Sequence, residues 1–114
     1  MKHKATRKHE FTQKEREKIY NRDNYQCIFC RIEYHMYSST QYGYQLEGIM
    51  HYIPKSQGGL GIAQNGALGC HYHHQLMDNG SKGLRKEMQE FMKGYLMGMY
   101  PGWNEKDLVY DKWR

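Results

Sequence analysis

The clearest pattern in the chain lies near its C-terminal end. Apolar side chains fall at Leu84, Met88, Phe91, Met92, Tyr95, Leu96 and Met99, a one-sided stripe with the period of an α-helix. A methionine-rich stripe serves as a binding groove in some proteins, but a packed core face is the commoner use. Gly94 and Gly98 interrupt the helix and weaken it by about 1 kcal/mol each relative to Ala. Tyr100-Pro101-Gly102-Trp103 ends it. Asn104 is placed to cap a last short helix carrying Leu108, Val109 and Trp113.

Upstream the signals are shorter. Thr12-Gln13-Lys14-Glu15 has the form of a capping box, with Thr12 accepting from the first turn and Glu15 reaching back. The helix it opens has little apolar content (Ile19, Tyr20) and runs to Arg22, where Asn21-Arg22-Asp23-Asn24 favours a turn. Residues 44–53 read as a strand broken by Gly48, and 54–59 as a Pro- and Gly-rich loop. A second short strand is expected within 60–68. A short helix is expected from Cys70 to Asp78, stopped by Asn79-Gly80. Residues 31–45 carry no assignable period, and residues 1–10 carry none at all.

Length and charge narrow this picture. At 114 residues one domain is expected, with a core small enough to need a metal, a disulfide or a partner chain. The net charge of +5 is unevenly placed. Lys2, Lys4, Arg7, Lys8, Lys14, Arg16, Lys18 and Arg22 face only Glu10, Glu15 and Glu17, while the rest of the chain is balanced. The expected organisation is a basic flexible arm over residues 1–10 and a single domain over 11–114. Its core spans about 25–80 and its helical C-terminal part 81–114. No apolar run approaches the roughly 20 residues that span a bilayer, and the basic start leads into no apolar signal region. An odd count of three cysteines argues against a disulfide framework, so an intracellular location is expected.

Two short pairs carry chemistry. Cys27-x-x-Cys30 puts two thiols on one tight turn, and Cys70-x-x-His73 puts two more ligands on one face of a helix start. Together they supply the four N and S ligands of a closed tetrahedral zinc site. A lone Cys-x-x-Cys could equally be a redox pair, and Cys70 alone a buried core residue. His51, Asn65 and His74 lie between and just after these pairs. His74 and Asp78, four apart, share a helix face and can offer a second ion imidazole and carboxylate ligands. A histidine that is neutral near pH 7 suits proton abstraction from water. His35 and His71 read as ordinary surface histidines. Lys55 reads equally well as a phosphate contact and as a solvated loop residue.

The run His51-Tyr52-Ile53-Pro54-Lys55-Ser56-Gln57-Gly58-Gly59, then Asn65, then Cys70-x-x-His73-His74, resembles the HNH endonuclease family. The entry Arg22-Asp23-Asn24-Tyr25-Gln26-Cys27-x-x-Cys30 is similar to that family's approach to its first zinc knuckle. The likeness covers about residues 12–80. The remainder is less specifically similar to small stand-alone HNH proteins of bacteriophages. The resemblance implies an α+β fold: a small ββα-metal core stapled by a structural zinc on Cys27, Cys30, Cys70 and His73, flanked by N- and C-terminal helices. It implies His51 as the general base, Asn65 as the residue that orients it or the loop or touches the metal, and His74 as a ligand to a catalytic Mg²⁺, Mn²⁺, Ni²⁺ or Zn²⁺. Cleavage would leave 5′-phosphate and 3′-hydroxyl ends. DNA is the implied partner, in a bacterial host cytoplasm, with a phage packaging enzyme as a further candidate; Lys2, Lys4, Arg7, Lys8, Arg22 and Lys55 are the expected phosphate contacts. Two departures stand out. Met50 occupies the place of the family's usual Asp, His or Glu metal ligand, so either Asp78 takes over or the ion is held weakly, by His74 and phosphate alone. His73 replaces a fourth cysteine, which zinc accepts. The rival expectation is a zinc-stapled DNA-binding or packaging accessory protein that cuts nothing.

Overall fold

The computed structural model describes residues 8–36, 41–79 and 83–110. Helix α1 spans Gln13–Arg22. Thr12 caps it, its Oγ1 accepting from the Glu15 N–H at 3.2 Å. The other half of the expected capping box does not form. Glu15 turns outward from the helix end, accepting the Ala63 N–H at 2.8 Å and the Lys18 ammonium at 2.8 Å. Those bonds outweigh its burial and hold its carboxyl below the usual range. Asn24 and Tyr25, both left-handed with φ of 56° and 57°, turn the chain into the one-turn helix α2, Ile28–Arg31.

Strands β1 (Leu46–His51) and β2 (Gly66–Cys70) form a two-stranded antiparallel sheet. Gly48 pairs with Gly69, Met50 with Ala67 and His51 with Gly66, but Leu46 pairs with Cys70, leaving Glu47 as an extra residue in the ladder. A bulge of this kind kinks a strand and re-aims the side chain it carries. β2 begins six residues later than the start of the expected window because every one of its residues is buried. With both faces covered, the polar–apolar alternation that marks a strand is absent.

Helix α3 (His71–Asn79) follows β2 directly, and α4 spans Arg85–Met99. Met88, Met92 and Leu96 of α4 are fully buried, and with Phe29, Met50, Leu76 and Met77 they make the main core. Of the stripe's methionines, Met88 and Met92 are therefore packing, whereas Met99 is exposed. On the other side of the sheet Ile19, Ala63 and Leu68 form a second cluster beneath Phe11 and Ile49. The described molecule is thus a small α+β fold with a two-stranded antiparallel sheet set among helices.

Both ends of the described chain close on one loop. The Gly61 N–H donates to the Lys8 carbonyl at 2.9 Å, and the Leu60 N–H to the Leu108 carbonyl at 2.8 Å. A Cβ on Gly61 would sit 2.2 Å from the Glu10 carbonyl, and one on Gly59 only 1.8 Å from that of Ile53, so neither position admits a side chain. Residues 8–10, expected in a flexible arm, are instead packed against the domain. Asn104 caps a final turn, Glu105–Leu108, as expected; Val109 then leaves it to bridge Gly59, and Trp113 lies outside the described residues.

Candidate metal centre and adjoining cleft

The turn at α2, the end of β2 and the first turn of α3 bring Cys27, Cys30, Cys70 and His73 together. Their ligand atoms lie within 4.8 Å of one another. His73 Nδ1 stands 3.7 Å from the Cys27 sulfur, 3.6 Å from that of Cys30 and 3.2 Å from that of Cys70, and the Cys30 and Cys70 sulfurs are 3.6 Å apart. Around a tetrahedral zinc the corresponding edges are roughly 3.5–3.8 Å. The four residues are placed to hold a metal ion. Among the described residues it is the one group of three or more such side chains that converges. The hydrogen bond from Cys70 to Cys27 pulls the Cys27 thiol down to about 4 against the effect of burial. The same bond, with burial, pushes Cys70 up.

The ligand histidine is oriented from behind. Its Nε2–H donates to the Tyr34 carbonyl, which leaves Nδ1 as the metal-facing lone pair. Glu33 and His35, on either side of Tyr34, hold left-handed φ of 55° and 42°. This strained turn presents the carbonyl to His73.

Beside the cluster is a cleft of about 190 Å³ lined by His51, Lys55, His74, Asp78, Arg85 and Gln89, among others. His51 ends β1. Its Nε2 stands 3.2 Å from the His9 carbonyl; a carbonyl only accepts, so Nε2 carries the proton and Nδ1 the lone pair. The Phe11 ring packs 4.5 Å from it, and His9 itself donates from Nδ1 to the Gly59 carbonyl at 2.7 Å. Burial holds His51 below the ordinary histidine value, partly offset by the His9 bond. His74 Nε2 lies 3.0 Å from Asp78 Oδ2. Two ligands at right angles on an ion with bonds of about 2.1 Å would be about 3.0 Å apart.

Several expected site residues stand elsewhere. Asn65 is fully buried and not in the cleft. Its Oδ1 accepts the Ile53 N–H at 2.8 Å, and its Nδ2 donates to the carbonyls of Ile53 and Leu60. It staples the loop after β1, away from the residues that line the cleft. Arg22 is corrected from a phosphate contact to an internal tie. Its guanidinium gives all its N–H groups inward: two to the Asp23 carboxylate, and the others to the Ala63 and Gly66 carbonyls and the Tyr100 hydroxyl. The Lys8 ammonium sits 4.2 Å over the Tyr110 ring. Lys55 does line the cleft. Lys2, Lys4 and Arg7 lie outside the described residues. Met50 is buried in the core, so β1 offers no ligand at that place.

Two residues at the site were not read from the sequence. Arg85 lines the cleft from the start of α4. A basic residue at a helix N-terminus opposes the helix dipole, and that local conflict was a usable signal. Glu47, on the bulge, brings Oε2 to 3.4 Å from His74 Nδ1 and 3.5 Å from His71 Nδ1; the neighbouring Gly48, which breaks the strand pattern, was the available signal for the bulge. Comparison of the chain with protein-family models, curated proteins and solved structures finds no match.

Proposed function

We propose that the chain is an HNH-type, metal-dependent DNA endonuclease, with a structural zinc on Cys27, Cys30, Cys70 and His73. The observation that carries the reading is the single cleft shared by His51, His74 and Asp78, built on a strand–strand–helix succession beside the cysteine cluster. His74 and Asp78 would hold the catalytic divalent ion, which supplies charge neutralisation at the scissile phosphate and leaving oxygen. His51, neutral near pH 7 and fixed with Nε2 protonated, takes a proton from water at Nδ1. Lys55 and Arg85 supply positive charge to the phosphate. Asn65 acts through the loop and not at the ion. The packaging enzyme as partner rests on the family resemblance alone.

The test is plasmid cleavage by the zinc-loaded protein with added Mg²⁺, Mn²⁺, Ni²⁺ or Zn²⁺, comparing wild type with His51→Ala. Cutting by wild type and a loss of about a hundredfold or more in the variant is expected. Equal cutting by both rejects the mechanism. One observation favours the non-cleaving DNA-binding reading: Met50 points into the core, leaving the cleft two converging ligands. No cutting with any ion, together with tight salt-sensitive binding, would select that reading.

A further inference from the structure

Among the described residues, His74 Nδ1 is the one buried side-chain nitrogen or oxygen without a hydrogen-bond partner. The group nearest to supplying one is Glu47 Oε2, 3.4 Å away. On the opposite side of the same ring, Nε2 faces Asp78 at 3.0 Å. The imidazole therefore stands between a carboxylate on the strand and a carboxylate on its own helix. Ion-ligating histidines are commonly arranged in this way: one nitrogen meets the ion, and the other gives its proton to a carboxylate that fixes the tautomer and makes the ligand more basic.

Resting on the nuclease reading of the cleft, we infer that Glu47 is a positioning residue for His74. It accepts the Nδ1 proton and so leaves the Nε2 lone pair toward Asp78 and the ion. With an ion on Nε2, the remaining ring proton would sit on Nδ1, toward Glu47. Glu47 reaches this place because it is the extra residue of the β1 bulge. Without the bulge, strict alternation from Met50, which faces the core, would direct position 47 differently. The strand thus serves the ion at one remove, through Glu47, and Met50 is free to pack. His71 Nδ1 lies 3.5 Å from the same carboxylate oxygen.

The test is Mn²⁺ binding to the zinc-loaded full chain, followed by electron paramagnetic resonance, with ¹⁵N NMR of the His74 ring in the diamagnetic Mg²⁺ form. Glu47→Ala is expected to weaken Mn²⁺ binding by about ten- to a hundredfold, with zinc content and melting temperature unchanged. Glu47→Gln, which keeps an acceptor oxygen, is expected to recover part of that loss. In wild type with Mg²⁺ the NMR should show the proton on Nδ1. Wild-type affinity in Glu47→Ala, while His74→Ala abolishes binding, overturns the inference and leaves the nuclease reading intact. A proton on Nε2 in the Mg²⁺ form overturns it in the same way. Failure of wild type to bind Mn²⁺, or binding indifferent to His74→Ala, overturns the ion site and the inference together.

Discussion

At the scale of single residues, the heaviest structural load falls on a pair that the sequence disguises. Asp23 is fully buried and the Arg22 side chain nearly so. The Asp23 carboxylate also accepts from the Tyr95 hydroxyl and, at 2.9 Å, from the Leu68 N–H. One ion pair thereby ties the end of α1 to β2 and α4. Removing one member strands a buried charge, so Asp23→Ala is expected to cost about 3–5 kcal/mol in denaturant unfolding; a loss below about 1 kcal/mol would show that the pair behaves as an exposed one. Nothing local distinguishes Arg22 from its basic neighbours, because its non-adjacent partners lie 41, 44 and 78 positions along the chain. The cysteine and histidine ligands were legible for the opposite reason. Each half of the cluster is a contact between residues three apart, and that chemistry is written in short spacing.

Among the elements, α4 was readable almost to its ends because one face is buried and the other is wet. Its two glycines are a different matter. A Cβ at Gly94 would meet nothing within 4 Å, and the position is exposed in the middle of the helix. Gly94→Ala is therefore expected to stabilise the protein by about 1 kcal/mol, raising the melting temperature by roughly 3–6 °C. An unchanged or lower melting temperature would mean that the glycine answers to something other than helix formation. β2 was misplaced, since a strand of Gly, Ala, Leu, Gly and Cys buried on both faces has no period to read. The bulge in β1 had one local sign, Gly48 within the strand. Which residue is extra appears only once a partner strand supplies the register that sets Gly48 against Gly69.

For the whole molecule, the termini matter more than their composition suggested. The basic segment divides at Lys8. Lys2, Lys4 and Arg7 remain candidates for phosphate attraction, whereas residues 8–11 pack on the loop at Gly59–Gly61 and on His51. Two truncations separate these roles. On the DNA-binding reading proposed above, deleting residues 1–7 is expected to reduce the salt slope of that binding by up to about 2.7. Deleting residues 1–11 is expected to lower the melting temperature as well. Equal stability of the two truncations would contradict the packing of residues 8–11. The cysteine cluster has a consequence of timing. Cys30 and Cys70 are 40 positions apart, which a ribosome adds in about 2–8 s. For that interval a nascent chain carries its first two thiols as an open half-site, ready to take an ion or an oxidant before the other half exists. The share of chains that close correctly then depends on translation speed and free metal in the cell, quantities that belong to neither the sequence nor the fold.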